Sequence, residues 1–135
     1  TEITIYSDLL EKIGAELVVD KILVIEGSCA LDDFTGNHAL VAESVWSLDQ
    51  ARELFAKCLV IEVTAERAAN GFIDDLREHL SAQTGGPCPV TIDYRRDGAN
   101  ACIRLGKQWQ VHPTDGLIER MREQFGSDAV RLEYR

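Results

Sequence analysis

The sequence lacks any apolar run approaching the ~18 residues of a membrane-spanning helix, so no membrane partner is expected. It has no initiator Met, no basic leader and no apolar signal core, and its first residues already read as strand. That start reads as an excised piece of a longer protein or a processed N-terminus. Cations are scarce: 14 Lys and Arg face 23 Asp and Glu, a net charge of −9. Such a field repels phosphates and argues against nonspecific nucleic-acid binding. Close cysteine pairs are also missing. Cys29, Cys58, Cys88 and Cys102 are far apart, which argues against zinc, and a chain of this size does not need disulfides. All four read as reduced thiols of a cytoplasmic protein. Cys29, Cys58 and Cys102 read as small strand hydrophobes, and Cys88, between two prolines, as the exposed one. Repeats and low-complexity segments are absent.

What is present is an ordinary globular composition, 45% hydrophobic over 135 residues. The charge is uneven. Residues 1–63 carry four cations against twelve acids, and residues 64–135 carry ten against eleven. This asymmetry suggests two units. In the first, Ile3 and Ile5 mark a short strand, Ser7 caps a helix and Gly14 ends it. Long strands follow at 21–30 and 40–46, joined by the turn-forming Asp32-Asp33-Phe34-Thr35-Gly36-Asn37. Ser47 to Gln50 forms a capping box that opens a connecting helix.

The second unit reads β-α-β-β-α-β. Its strands are 58–63, 89–94 and 101–105, with 109–111 as a continuation, and 130–134. Its helices run from about 68 to 83, where Asn70-Gly71 weakens the first turn so that the regular part is expected to begin at Gly71, and from 115 to 125. Gly85-Gly86-Pro87 breaks the chain, Asp97-Gly98 turns a hairpin and Gly126 closes the last helix. The pattern specifies α+β, a split sandwich with both helices on one face of a mainly antiparallel sheet.

No catalytic constellation emerges. Asp32-Asp33 reads as a solvated turn. Asp74-Asp75 reads as a solvated helix face, where neighbours diverge by ~100°. His38, His79 and His112 are isolated, with His112 packed at a strand end. No nucleophile elbow, phosphate loop or zinc-protease helix occurs. Arg95-Arg96, with Arg104, Lys107 and Trp109, suggests a basic aromatic-edged hairpin for single-stranded nucleic acid, a contact for an acidic protein partner, or an ordinary charged face, and the last is favoured.

Three ordered stretches carry a resemblance: Ile22-Leu23-Val24-Ile25-Glu26-Gly27, Leu31-Asp32-Asp33-Phe34-Thr35-Gly36, and Ala42-Glu43-Ser44-Val45-Trp46-Ser47-Leu48-Asp49-Gln50-Ala51-Arg52-Glu53. They resemble the end of the OB-fold domain of the bacterial DNA polymerase III alpha subunit. Pro89 to Tyr94, Arg104-Leu105-Gly106, Trp109 to Asp115 and Gly126 to Tyr134 resemble the C-terminal domain of that family.

The resemblance implies residues 1–47 as the incomplete C-terminal part of an OB-fold domain, strand-helix-strand-strand, and 48–135 as a tau-binding domain. It implies a non-catalytic region without cofactor or metal. The parent would be a DNA-directed DNA polymerase, a nucleotidyltransferase, whose catalytic carboxylates lie in other domains. The implied partners are the tau subunit of the clamp loader and the rest of the polymerase III holoenzyme. An alternative is a single-stranded nucleic-acid-binding OB module.

Residues 1–47 hold two Lys against nine acids, so DNA binding by this piece is expected to be weak or absent. An incomplete OB half is expected to homodimerise or to leave residues 1–10 disordered. The tau-facing surface is placed near the last helix and strand, with Arg120, Arg122, Arg131 and Tyr134 as interface types. Arg95, Arg96 and Lys107 are the candidate nucleic-acid contacts.

Overall fold

A computed structural model describes residues 2–31 and 36–135. The Asp32-Asp33 turn lies outside the described residues. The fold is α+β, with two compact units, Thr1–Ala51 and Arg52–Arg135.

The first unit runs β1 (Ile3–Thr4), α1 (Ser7–Ile13), β2 (Leu23–Leu31), β3 (His38–Ser47), the strand-helix-strand-strand order expected. Its sheet order is β1-β3-β2, with β1 parallel and β2 antiparallel to β3. The β2–β3 ladder shifts register between Glu26 and Gly27. Gly27 is required there, because a Cβ would sit 2.0 Å from the Val41 carbonyl oxygen. The buried core is small, Ile13, Ala42 and Val45, with Ile5, Leu9, Leu17 and Leu23 packed against it. Ile3 and Thr4 pair with Leu40 and Val41, and Ser7–Ile13 is helical, so among the described residues the N-terminal segment is ordered. Two local readings change. Ser7 is the first helical residue, with Tyr6 at the cap and no side-chain cap bond. Gly14 ends α1 in a right-handed conformation rather than a left-handed one.

A capping box opens α2 (Leu48–Phe55), as its sequence predicts. The Ser47 N–H donates to Gln50 Oε1 at 2.9 Å, and the Gln50 N–H donates to Ser47 Oγ at 3.3 Å.

The second unit contains β4 (Ala56–Thr64), α3 (Ala65–Ala68), α4 (Phe72–Ser81), β5 (Thr84–Cys88), β6 (Val90–Arg96), β7 (Ala99–Arg104), α5 (Asp115–Phe125) and β8 (Val130–Tyr134). The sheet order is β7-β6-β4-β8. The central pair β4–β6 is parallel and the two outer pairs are antiparallel. Leu59, Ile61 and Val63 of β4, Val90 and Ile92 of β6, and Val130 of β8 bury one face against Phe72, Leu76 and Leu80 of α4 and Leu117, Met121 and Phe125 of α5. Phe72 and Phe125 meet edge to face at 5.2 Å. Both main helices therefore cover one face of the sheet.

The regular helix begins just past Gly71, as the weak Asn70-Gly71 step predicts, and the residues before that step form a separate short helix, α3, at 65–68. Gly71, at φ 78°, supplies the left-handed residue between them. Thr64 caps α3 and Thr114 caps α5. Gly85-Gly86-Pro87 does not break the chain. It runs as β5, bridged to Val111 from Thr84 and Cys88. A Cβ on Gly86 would lie 2.1 to 2.2 Å from the Val111–His112 backbone, so glycine is what lets these segments touch. Residues 107–109 form a 3₁₀ turn instead of a strand, and only Val111 pairs.

The cysteine assignments also change. Cys88 is buried, not exposed, because β5 turns it inward beneath Val111. Cys29 and Cys102 are exposed although both lie in strands.

Candidate functional site

Strand alternation decides where each candidate side chain goes. Val130 and Leu132 of β8 face the helices, so Arg131 and Glu133 face the other way. On that open face β4 contributes Cys58 and Val60, β6 contributes Thr91 and Asp93, and β7 contributes Cys102 and Arg104. Together they line a hollow of about 390 Å³. Its floor is small and buried, its walls long and charged.

Arg131 reaches Glu133 at 3.6 Å, Glu62 at 3.8 Å and Asp93 at 3.9 Å. Arg95 binds the same carboxylates at 3.0 Å (Glu62) and 3.1 Å (Asp93). Burial first, and then the Glu133 carboxylate 3.6 Å away, push the Cys58 thiol up from its ordinary range. Burial likewise raises Cys88, to about 11. These two thiols are held neutral and are poor nucleophiles.

The helix-facing side of the β6–β7 edge carries a second feature. Ile73, Leu76, Arg77 and Leu80 from α4, with Ile92, Leu105 and Trp109, line a groove of about 150 Å³. Ile73 is 55% exposed and Ile103, on the adjoining strand, 48%. The apolar face of the sheet is thus incompletely roofed at β7.

The sequence candidates divide among these surfaces. Arg120 and Arg122 are exposed on α5, on the helix layer, and Arg122 Nε donates to the Val130 carbonyl at 3.4 Å. Arg131 belongs to the opposite face. Tyr134 is half-exposed at the end of β8. Arg95 and Arg96 border a shallow hollow with Glu66 and Asp97, where charge is mixed. Lys107 sits in the 3₁₀ turn beside Trp109. Arg104 and Trp109 fall on opposite sides of the sheet, so the basic aromatic-edged hairpin is not one surface.

Two histidines have partners that spacing does not reveal. His112 Nδ1 lies 2.6 Å from Glu53 Oε1, next to the Arg52–Asp115 ion pair at 2.7 Å. These two pairs fasten the end of α2 to the segment before α5. The His79 ring packs edge-on against Phe125. Among the described residues no cluster of three or more His, Cys, Asp or Glu is placed to hold a metal ion, and no helix is long and apolar enough to cross a membrane.

Residues 75–126 match the family model for the DNA polymerase III subunit alpha, C-terminal domain. This segment runs from within α4 to just past the end of α5 and includes β7 and the groove residues other than Ile73. The chain is 35% identical over 133 residues to the DNA polymerase III subunit alpha of Escherichia coli (strain K12), covering 98% of this chain and 12% of that protein. Identity is also 35% over 133 residues to the subunit of Vibrio cholerae, with the same shares covered. To that of Pseudomonas aeruginosa it is 35% over 134 residues, 99% of this chain and 11% of that protein. The chain therefore spans about an eighth of the length of these relatives. Over nearly its whole length it is homologous to the C-terminal region of the bacterial DNA polymerase III alpha subunit.

Proposed function

We propose that this chain is a non-catalytic, cytoplasmic tethering region that holds the replicative polymerase to the clamp loader through the tau subunit in chromosomal DNA replication. In this reading residues 1–47 are the end of an OB-fold domain and 48–135 the tau-binding domain. The observation that carries it is the homology to the alpha subunit's C-terminal domain, joined to an open apolar groove lined by Ile73 and residues of the matched segment. Grooves of this kind, apolar with a few polar groups at the rim, suit a protein partner.

Titration of the full chain with purified tau tests the reading, with saturable binding expected and no binding overturning it. Charge reversal at Arg122 and Arg120 tests the α5 face. Undiminished affinity there would move the contact elsewhere in the unit. The single-stranded nucleic-acid alternative is disfavoured by the Glu62 and Asp93 carboxylates that hold Arg95. A DNA module would bind a fluorescent single strand with affinity falling steeply as salt rises.

The first unit exposes Tyr6, Val18, Val19, Ile22 and Leu31. A homodimer of this half would pair through the edge strand at 21–30, which ends the three-stranded sheet as β2, and light scattering at micromolar concentration reads it.

A further inference from the structure

The four-stranded sheet has two edges, β7 and β8. The β8 edge is guarded. Its ladder with β4 carries a register shift between Ala56 and Cys58, Arg131 and Glu133 are engaged in ion pairs, and the Arg135 N–H donates to the Phe55 carbonyl. The β7 edge, Ala99-Asn100-Ala101-Cys102-Ile103-Arg104, has no Pro, no Lys, no acidic residue and no register shift along its six pairs with β6. Those omitted features are the ones that keep natural sheet edges from recruiting strands.

The phase of the ladder fixes what this edge offers. The Leu105 N–H donates to the Val90 carbonyl at 2.9 Å. Antiparallel pairs alternate between bonded and unbonded. With Thr91 opposite Arg104, the bonded pairs are Ile92–Ile103, Tyr94–Ala101 and Arg96–Ala99. Asn100, Cys102 and Arg104 therefore direct both backbone groups outward.

We propose that the free edge of β7 accepts an added strand from a partner chain: an extended segment with apolar side chains on one face and carboxylates on the other. The proposal rests on the tether reading and names its mode of docking. Strand addition takes main-chain hydrogen bonds for affinity and alternate side chains for specificity. On the helix side, the added strand's side chains meet Ile103 and the groove of Ile73, Leu105 and Trp109. On the open side they meet Arg104, beside the 390 Å³ hollow.

The guanidinium groups of Arg96 and Arg104 and the Lys107 ammonium have no ion-pair partner among the described residues. By alternation Arg96 lies on the helix side with Ile92 and Tyr94, so on the open side Arg104 is the cation that a carboxylate of the added strand meets, in a chain of net charge −9. An acidic segment complements that cation. A second copy of this chain does not, because its own β7 brings no carboxylate and two chains of −9 repel.

Hydrogen exchange and binding to tau, using the full 135-residue chain, test the proposal. On complex formation the amides of Asn100, Cys102 and Arg104 are expected to slow at least tenfold. Cys102→Pro removes an outward N–H without touching the β6 ladder. It is expected to weaken tau binding at least tenfold. Arg104→Glu is expected to weaken binding and flatten its salt dependence.

Tau binding with unchanged exchange along β7 overturns strand addition and leaves the tether reading standing. So does equal affinity of a folded Cys102→Pro chain, or a homodimer that this substitution abolishes. Should Cys102→Pro unfold, the exchange of the unaltered chain decides alone. Absence of tau binding by the unaltered chain removes the tether reading and this proposal together.

Discussion

The two units of this chain are built from the same materials with different outcomes. In Arg52–Arg135, two helices and a four-stranded sheet enclose a continuous core in which Leu59, Ile61, Val90, Val111, Leu117 and Met121 are fully buried. In Thr1–Ala51, one short helix and three strands bury Ile13, Ala42 and Val45, while Val19 is left 87% exposed and Ile22 69%. A two-stranded ladder nine pairs long does not by itself make a core. A second layer is what converts strand length into burial, and in the first unit α1, seven residues long, packs little over the ladder.

Core truncation gives the largest test of that contrast. Leu76→Ala, in the second unit, is expected to cost ~2–5 kcal/mol in urea titration. Val45→Ala, in the first, should cost less, since its buried neighbours are only Ile13 and Ala42 and the rest of its cluster is partly exposed. Comparable losses would erase the distinction between the units.

Backbone contacts come next. Ala at Gly86 would drive a Cβ into the Val111–His112 backbone, and Ala at Gly27 into the Val41 carbonyl. Gly86→Ala should lower stability by ~1–3 kcal/mol, as overpacking does. Gly27→Ala should instead show mainly as disturbed β2–β3 amide signals, with the melting temperature of the second unit unmoved. A shift in that melting temperature from Gly27→Ala would show that the units do not unfold separately.

Helix caps sharpen the comparison further. Thr114→Ala removes the acceptor for the Leu117 N–H and is expected to cost ~1 kcal/mol, measured by thermal melting.

The smallest effect is chemical. Cys29 and Cys102 should react with a thiol reagent at once, and Cys58 and Cys88 only when the second unit opens. Because the folded Cys88 thiol sits at about 11, above its ordinary 9.0, its contribution to stability is complete below pH 9. It declines as pH rises from 9 toward 11. Prompt labelling of Cys88 at pH 8 would mean that β5 is loose.

Much of this architecture is readable from local chemistry. Asp97-Gly98, the Ser47–Gln50 box and Gly126 mark turns and helix ends through interactions within a few residues, and each appears where expected. Cys88 shows where such reading fails. Flanking prolines suggest an exposed loop, but a contact with Val111, 23 positions later, makes that segment a buried strand. The β4–β6 and β4–β8 pairings are equally nonlocal, since only the β6–β7 hairpin is announced by a turn in the sequence. The candidate surface follows the same rule. The arginines are visible in the sequence. That Arg95 and Arg131 share Glu62 and Asp93 while Arg104 stands without an ion-pair partner among the described residues depends on pairings across three strands.

One side chain ties distant parts of the second unit together. Arg67, in the single turn of α3, donates to the carbonyls of Phe125 (2.7 Å) and Gln124 and lies 5.5 Å above the Phe125 ring. Carbonyls at a helix C-terminus have no partner within the helix, and here a residue 58 positions earlier supplies one. The last turn of α5 therefore cannot fray alone. Opening it releases α3 as well, so the two segments form one cooperative opening unit on the exchange timescale. Their amide protons should be lost together, at a common rate, although they are the first and last helices packed on the sheet.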